Sequence, residues 1–289
     1  MVKDLSLKIK QLVTSKFNCL KEQGIDISIL ELKIMLAHIL NTDVGNLYFY
    51  DNDISEKQLC LFDEMIKKRE SHCPVDKILG TRGFYKYDFD VNADVLSPRQ
   101  DSEVLIEEAL ILLKNFVRPK ILELGTGSGC LIISLLADRI DANGVGIDIS
   151  EKALNVTKRN AIKNNVFDRL VLQRGSWFDK NITDVIETKF DLIISNPPYI
   201  PSADIEKLDD EVKNFDPLVA LDGGDDGLRD YRQICKIAPS LLNDGGFLVF
   251  EAGINQADDI AEIAKKNNLS LVKKAQDLVG VERCIILKK

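Results

Sequence analysis

Histidine is almost absent from this chain of 289 residues, where it occurs only as His38 and His72. The six cysteines are scattered and form no CxxC pair. A zinc site draws chiefly on clustered cysteine and histidine, and Ser-His and Cys-His triads require a histidine. His72 beside Cys73 is the one adjacency of these residue types. The sequence therefore predicts no metal site, no histidine-based triad and no disulfide framework.

Long apolar runs and an excess of positive charge are also missing. The longest uncharged apolar stretch, residues 125–137, is shorter than the ~18 residues that a membrane span requires. The N-terminus is mixed and charged and has no signal-peptide block, so we expect a cytoplasmic protein that does not enter a membrane. Lys and Arg number 38 against 46 Asp and Glu, a net charge of −8. Direct nucleic-acid binding is not expected, because it usually requires a basic face.

The chain is long enough for two domains, and its pattern changes along its length. Residues 1–73 carry apolar positions at spacings of three and four, which predicts a small helical domain. Within it, Ser55-Glu56-Lys57-Gln58 has the form of a capping box that begins a helix. Residues 74–97 are punctuated by proline and glycine and rich in aromatic residues, so they predict a β-hairpin linker. Residues 98–289 form the second predicted domain.

In the second domain, short apolar runs alternate with helix-forming spacers. A helix is predicted from Asp101, which is placed to cap it, to about residue 115. The alternation beyond it predicts an α/β fold with a doubly wound, mainly parallel, Rossmann-like sheet. The last two runs have no helix-length spacer between them, which predicts a terminal antiparallel hairpin. The predicted strands cover residues 120–124, 143–148, 169–173, 190–195, 246–251, 270–275 and 282–288.

A glycine-rich loop follows the first of these strands: Glu123-Leu124-Gly125-Thr126-Gly127-Ser128-Gly129. Glycines at alternate positions let the backbone turn tightly and approach a ligand closely. Open α/β sheets bind their cofactors at this edge. A plain tight turn is the alternative interpretation of such a loop.

Asp148 ends the second predicted strand. A carboxylate at this position can accept hydrogen bonds from both ribose hydroxyls of an adenosine. Its structural alternative is a helix N-cap, a role for which Ser150 is better placed. Together, the glycine loop and Asp148 predict a cofactor that carries a nucleoside.

The sequence Asn196-Pro197-Pro198-Tyr199 directly follows the fourth predicted strand. The prolines fix φ and have no N–H, so local carbonyls are presented outward. The Asn196 side-chain oxygen and the Pro197 carbonyl can hold both hydrogens of one planar NH2 group, with Tyr199 stacked on its face. Held in this way, a weakly nucleophilic amide or exocyclic amine directs its lone pair at an electrophilic methyl carbon. A purely structural Pro-Pro turn is the alternative.

Together, the glycine loop, Asp148 and the NPPY turn resemble the class I, S-adenosylmethionine-dependent amino-methyltransferases. Further stretches are similar to motifs of one family, the release factor glutamine methyltransferases (PrmC/HemK family). Ser97 and Gln100 depart from that pattern, where the family favours Ile and Pro, and Asp216 replaces a frequent Glu. The similar stretches are Leu32–Leu40, Pro74–Gly80 with Phe84, Val95–Glu103, Arg174–Phe178, Ala220–Leu228 with Tyr231, and Glu251–Gly253 with Gln256.

The resemblance implies a methyltransferase sheet preceded by a helical domain that docks the substrate protein. It implies methyl transfer from S-adenosylmethionine to the glutamine N5 of the GGQ motif in class 1 peptide chain release factors, with S-adenosylhomocysteine as the other product. The implied catalytic residues are Asn196, Pro197 and Tyr199, and the implied substrate-binding residues are these three with Pro198 and Leu96. The implied cofactor-binding residues are Glu123, Gly125, Thr126, Gly127, Ser128, Gly129, Asp148, Asn196 and Trp177, the last beside the adenine.

Two other functions remain open at this point. An enzyme that methylates adenine N6 or guanine N2 in nucleic acid handles the same NH2 chemistry, but it normally carries a basic surface for a flipped base. A non-catalytic module that only binds a cofactor or a partner is the second alternative. The intact NPPY turn disfavours it, because a binding module does not need both acceptors.

Overall fold

The computed structural model describes residues 2–50, 52–180, 182–186 and 188–289. The chain divides into two compact units, Met1–Gly80 and Thr81–Lys289. None of the helices in the described ranges is both long and apolar enough to cross a lipid bilayer.

The first unit is helical, with a core that includes Leu32, Met35 and Phe62. Ser28 caps one helix and Ser55 another, each in a complete capping box that satisfies two backbone N–H groups. The box at Ser55 was predicted from the sequence and is confirmed. The elements are α1 (Val2–Glu22), α2 (Ile29–Ile39), a 3-10 helix (Val44–Phe49), α3 (Glu56–Glu70) and α4 (Val75–Leu79).

The boundary between the units falls at Gly80, whereas the sequence pattern placed it at residue 73. The difference arises because Val75–Leu79 forms α4, whose Ile78 is buried in the helical core. Gly80 adopts a φ of 73°, in the left-handed region that favours glycine, and ends α4.

The second unit begins with a two-stranded antiparallel hairpin, β1 (Thr81–Phe84) and β2 (Tyr87–Asp90). Phe84 and Phe89 of this hairpin are buried in the core of the second unit. The remaining strands are β3 (Lys120–Leu124), β4 (Asn143–Asp148), β5 (Leu170–Arg174), β6 (Phe190–Ser195), β7 (Leu242–Glu251), β8 (Ser270–Gln276) and β9 (Glu282–Lys288). The α-helices are α5 (Glu103–Leu113), α6 (Cys130–Asp138), α7 (Glu151–Lys163), α8 (Ile182–Val185), α9 (Asp210–Lys213), α10 (Arg229–Leu241) and α11 (Ala257–Lys266). Short 3-10 helices lie at Gln100–Ser102, Phe167–Arg169, Ser202–Lys207 and Leu218–Ala220.

In the described part of the chain, β3 to β9 form a seven-stranded sheet in the order β5-β4-β3-β6-β7-β9-β8. The pairs from β5 to β7 are parallel, and β9 pairs antiparallel with both β7 and β8. Apolar clusters cover the sheet, which explains why β3 and β6 are near-continuous apolar runs. The predicted parallel sheet and terminal hairpin are confirmed.

The strand order reverses direction at β3, because β4 lies on one side of it and β6 on the other. Such a switch point opens a crevice at the carboxyl ends of the strands, where α/β proteins bind ligands. The glycine loop follows β3, Asp148 ends β4 and the NPPY turn follows β6. The topology therefore brings all three predicted motifs to one edge.

One detail of the sequence interpretation is wrong. Asp101 does not cap α5, which begins at Glu103 after a 3-10 helix and has no side-chain cap. Its carboxylate instead accepts a hydrogen bond of 3.4 Å from Arg283 at the start of β9. Asp101 lies inside that 3-10 helix, and Ser102 holds the N-cap position of α5 in its place.

Candidate active site

A cavity of about 310 Å³ opens at the carboxyl edge of the sheet. It collects most of the residues predicted for the site. Of the predicted residues, Gly129, Pro197 and Tyr199 do not line it. Those that do are Leu96, Glu123, Gly125, Thr126, Gly127, Ser128, Asp148, Trp177, Asn196 and Pro198.

The backbone of the glycine loop has the left-handed turns that its composition predicts. Gly125 has a φ of 79°, and a Cβ atom there would lie 3.4 Å from two ring carbons of Trp177. Gly129 has a φ of 80°, and a Cβ atom there would lie 2.6 Å from Cγ2 of Thr157. Gly125 therefore permits the left-handed turn beside Trp177, whereas Gly129 also lets α6 begin tightly against α7.

Asp148 is buried and is held by two backbone N–H groups. The N–H of Gly127 donates to its Oδ2 at 2.8 Å, and the N–H of Ser150 donates to its Oδ1 at 2.9 Å. Burial raises the pKa of the Asp148 carboxyl, while these two donors oppose the shift. Ser150 Oγ accepts from the N–H of Ala153 and so caps α7. Asp148 is thus left to face the cavity.

Glu123 places a second buried carboxyl in the cavity wall. Its side chain is almost fully enclosed, and Oε2 accepts a hydrogen bond of 3.3 Å from the N–H of Ile132 in α6. Burial raises the pKa of Glu123 well above its ordinary value, and the negative charge of Asp148 contributes to this shift.

The indole of Trp177 is fixed by an acid that the sequence analysis missed. Its Nε1 donates a hydrogen bond of 2.8 Å to Oδ1 of Asp230, the second residue of α10. Burial raises the pKa of Asp230, and hydrogen bonding to Trp177 opposes the shift. An indole N–H removed from water requires an acceptor, but nothing local in the sequence marks Asp230, 53 positions away, as that acceptor.

The NPPY turn is anchored to the sheet on both sides. Immediately before it, Ser195 Oγ donates a hydrogen bond of 2.6 Å to the carbonyl of Leu124, which ties the ends of β6 and β3 together. Tyr199 Oη donates to Oε1 of Glu251 at 3.4 Å. Burial and the neighbouring Glu251 carboxylate both raise the pKa of Tyr199.

A second cavity of about 400 Å³ lies on the other side of Asn196. Tyr199 and Glu251 line it and do not line the first cavity. Four residues line both cavities: Leu96, Arg99, Asn196 and Ala220. The site is therefore divided into two adjoining chambers, with Asn196 in their common wall. This arrangement can hold two reactants against each other.

Arg99 in the common wall has a buried partner. Its Nη2 donates a hydrogen bond of 2.9 Å to Oδ2 of Asp216, whose side chain is buried. In the sequence, Asp216 stands out only as a departure from the family pattern. Asp216 lines neither cavity, and its carboxylate holds Arg99, which lines both. Within the described ranges, no group of three or more His, Cys, Asp or Glu side chains could hold a metal ion.

A glycine loop after β3, an acid at the end of β4 and an NPPY turn after β6, on this strand order, define a class I methyltransferase domain. Sequence profiles described as "Methyltransferase domain" and "PrmC N-terminal domain" match residues 117–282 and 11–80, respectively. The "Release factor glutamine methyltransferase" of Rhodospirillum rubrum is 40% identical over 271 residues, covering 93% of this chain and 82% of the relative. The relative of the same name in Geobacter sulfurreducens is 37% identical over 267 residues, covering 92% and 91%. The chain belongs to the release factor glutamine methyltransferase family, as its motifs predicted.

Among solved structures, the chain is similar to the release factor-specific protein-(glutamine-N5) methyltransferase of Alicyclobacillus acidocaldarius. The two are 27% identical, and the TM-score is 0.41. The alignment covers 70% of this chain and 99% of that one.

Proposed function

We propose that this chain transfers a methyl group from S-adenosylmethionine to the side-chain amide nitrogen of the glutamine in the GGQ motif of class 1 peptide chain release factors. The products are N5-methylglutamine and S-adenosylhomocysteine. The observation that carries the proposal is the position of Asn196, which lies in the wall common to two adjoining cavities. One cavity has the size and lining of a cofactor site, and Tyr199 of the NPPY turn lines the other.

The first cavity fits S-adenosylmethionine by its size and by the hydrogen-bond acceptors in its wall. Its volume of about 310 Å³ lies in the range of small-molecule sites. The cofactor carries a positive sulfonium and a positive ammonium group, and the buried Glu123 and Asp148 carboxyls supply complementary acceptors. A carboxylate has about four lone-pair positions, so Asp148 retains capacity for ribose hydroxyls besides its two backbone donors.

In this proposal, Trp177 contacts the adenine end of the cofactor and Glu123 binds its methionine end. The indole of Trp177 covers part of the adenine, because it stands after β5 at the cavity wall and is held there by Asp230. Glu123 lies at the end of β3 and receives the methionine ammonium group through water. When bound, S-adenosylmethionine supplies an electrophilic methyl carbon.

The second cavity receives the acceptor glutamine. Asn196 and Tyr199 line this cavity, whereas Pro197 lines neither cavity. In the proposal, the Asn196 side-chain oxygen and the Pro197 carbonyl accept the two hydrogens of the amide NH2, and Tyr199 stacks on the amide plane. Leu96 supplies the apolar wall beside it. These contacts orient the nitrogen lone pair towards the first cavity and stabilise the positive charge that develops on nitrogen during transfer. The proton on nitrogen leaves after transfer, so no histidine base is needed.

The helical first unit docks the release factor. The second unit already contains both cavities, with all their lining residues between Arg82 and Glu251. The first unit has a core of its own and contributes none of the residues assigned to transfer. Because methyl transfer needs none of its residues, we assign the first unit to recognition of the protein substrate.

Transfer of a labelled methyl group from S-adenosylmethionine to purified release factor, duplex DNA and ribosomal RNA, side by side, tests the proposal. We expect label on the release factor alone. A release factor whose GGQ glutamine is replaced by glutamate is the matched control and should remain unlabelled. Label on DNA or RNA in preference to release factor would support amino-methylation of nucleic acid instead.

A further inference from the structure

One short segment of the chain holds Tyr199 at two separate points. Glu251, the last residue of β7, accepts a hydrogen bond from the Tyr199 hydroxyl at 3.4 Å. Gln256, just before α11, donates from Nε2 to the backbone carbonyl of Tyr199 at 3.0 Å. The NPPY tyrosine is therefore fixed at its side chain and at its backbone by residues only a few positions apart.

The segment itself is built for this contact. The N–H of Gly253 donates a hydrogen bond of 3.0 Å to Oε1 of Gln256, which orients the amide of that side chain. A Cβ atom on Gly253 would lie 2.5 Å from this same oxygen and 3.0 Å from Cδ2 of Tyr199. Only glycine leaves room for the glutamine and the tyrosine ring together, which explains the pattern Glu251-Ala252-Gly253 followed by Gln256.

Glu251 is itself fixed by a residue at the start of α5. Its side chain is buried, with the residue only 2% exposed, and the Ser102 hydroxyl at the start of α5 donates a hydrogen bond to its Oε2. One carboxylate oxygen thus takes Ser102 and the other takes Tyr199. Glu251 also lines the second cavity, with Tyr199 and Leu96. The carboxylate connects a helix end, a strand end and the NPPY turn.

We propose that Glu251 is a positioning residue that acts through Tyr199 to shape the acceptor side of the site, an inference that rests on the proposed function. The Tyr199 ring forms one wall of the cavity for the acceptor amide. Without the acceptor oxygen of Glu251, the tyrosine loses the contact that selects its orientation. Glu251 does not line the first cavity, although its partner Ser102 does, so we expect its loss to act mainly on use of the acceptor.

A double-mutant cycle tests this role, with kcat and KM measured separately for release factor and for S-adenosylmethionine. The variants are Tyr199→Phe, Glu251→Leu and the double variant. Glu251→Gln is the conservative partner, because its amide oxygen can still accept from Tyr199 while its NH2 donates to Ser102. Tyr87→Phe is the matched control: it also removes a tyrosine hydroxyl that donates to a carboxylate, here Asp138 at 2.6 Å, and Tyr87 lines neither cavity.

We expect Tyr199→Phe and Glu251→Leu each to lower kcat/KM for release factor about tenfold, the usual scale for a hydrogen bond to a charged group. The double variant should be no slower than Glu251→Leu, because both changes remove the same hydrogen bond. Glu251→Gln and Tyr87→Phe should stay within about threefold of wild type. Calorimetry should show S-adenosylmethionine affinity within about twofold throughout, which also demonstrates that each variant is folded.

The inference would be overturned if the losses in kcat/KM of the two single variants multiplied in the double variant. Wild-type kinetics in Tyr199→Phe would overturn it as well. The second result is decisive even if Glu251→Leu does not fold. The wild-type reaction tests the proposed function separately. Should the wild-type chain methylate nucleic acid instead, the proposed function fails, and the same cycle measured with that acceptor still decides the role of Glu251.

Discussion

The backbone N–H of Gly127 donates a hydrogen bond of 2.8 Å to the carboxylate of Asp148. This bond joins the loop after β3 to the end of β4, the neighbouring parallel strand. The other oxygen of Asp148 accepts from Ser150 at 2.9 Å, so the orientation of the carboxylate is fixed before any ligand arrives. The glycine loop and the acid thus form a single preorganised wall.

Replacing Asp148 by alanine should weaken S-adenosylmethionine binding by more than tenfold. The ribose hydroxyls lose a charge-assisted acceptor, typically about 1.5–3 kcal/mol, and the glycine loop loses its tie to β4. Asp148→Asn separates the two effects, because its amide oxygen can still accept from Gly127 without the negative charge. Calorimetry measures the affinities. Unchanged affinity in a folded Asp148→Ala protein would leave Asp148 with a purely local role in the loop.

The motifs of the second unit could be read from the sequence because each one is local. A glycine loop, an acid at a strand end and an NPPY turn consist of residues adjacent in the chain, and a parallel α/β sheet carries all strand ends of one direction to one edge. Once the strands were predicted, the position of Asp148 relative to Asn196 followed.

Contacts between distant residues could not be predicted in this way. Trp177 and Asp230 are 53 positions apart, and Ser102 and Glu251 are 149 apart. Nothing local marks either pair, because the partner of a buried polar group depends on packing. The helix α4 was missed for a related reason. Its five residues are too few to show a helical period, and burial of Ile78 against the first unit supports it.

Asn196→Ala should lower methyl transfer to release factor by about 10²–10³-fold, the usual loss when one positioned polar contact is removed from a transition state. Binding of S-adenosylmethionine should stay within about twofold of wild type, because the glycine loop and Asp148 are intact. Initial rates with labelled cofactor and calorimetry provide the two measurements. Near wild-type transfer by this variant would contradict the role given to the NPPY turn.

Glu123→Gln should change how stability depends on pH. Burial raises the pKa of Glu123 in the folded state above the ordinary value of 4.5, so the folded state holds this proton more tightly than the unfolded state. The Glu123 contribution is therefore favourable at low pH and is lost as pH rises towards the folded-state pKa, with a limiting slope of about 1.4 kcal/mol per pH unit.

The neutral glutamine removes this slope, so the stability of Glu123→Gln relative to wild type should increase as pH rises. Urea unfolding between about pH 5 and pH 8 without cofactor measures the difference. The exposed Glu262 of α11 offers a matched control, and Glu262→Gln should follow the wild-type curve. A constant difference between Glu123→Gln and wild type across this range would show that Glu123 is ionised in the folded protein.

Removal of residues 1–80 should raise the KM for release factor at least tenfold while cofactor affinity changes little. The truncated protein begins at Thr81, the first residue of β1, and it keeps the apolar cores of the second unit and both cavities. Kinetics with intact release factor and calorimetry with S-adenosylmethionine measure the two quantities. Strong competition by RNA or DNA, with the steep salt dependence of counterion release, would instead indicate a nucleic-acid substrate.

Binding of S-adenosylmethionine or S-adenosylhomocysteine should change the intrinsic fluorescence of Trp177, which is the only tryptophan in the sequence. Its indole lines the first cavity and is oriented by Asp230 at 2.8 Å, so an adenine placed against it alters its surroundings. The titration should saturate with the affinity found by calorimetry. Stacking of an aromatic side chain on a base contributes roughly 1–3 kcal/mol in single-strand binders. Even partial stacking should therefore weaken binding several-fold in Trp177→Ala.

Trp177→Phe is the control, because it keeps a ring in the cavity wall but removes the indole N–H and the fluorescence. Its affinity should lie between those of wild type and Trp177→Ala. The alternative role of Trp177 is packing: its ring centroid lies 6.4 Å from that of Phe178, and it packs against the core of the second unit. A flat fluorescence titration together with unaltered affinity in Trp177→Ala would establish that packing role, because a residue that contacts the adenine cannot satisfy both results.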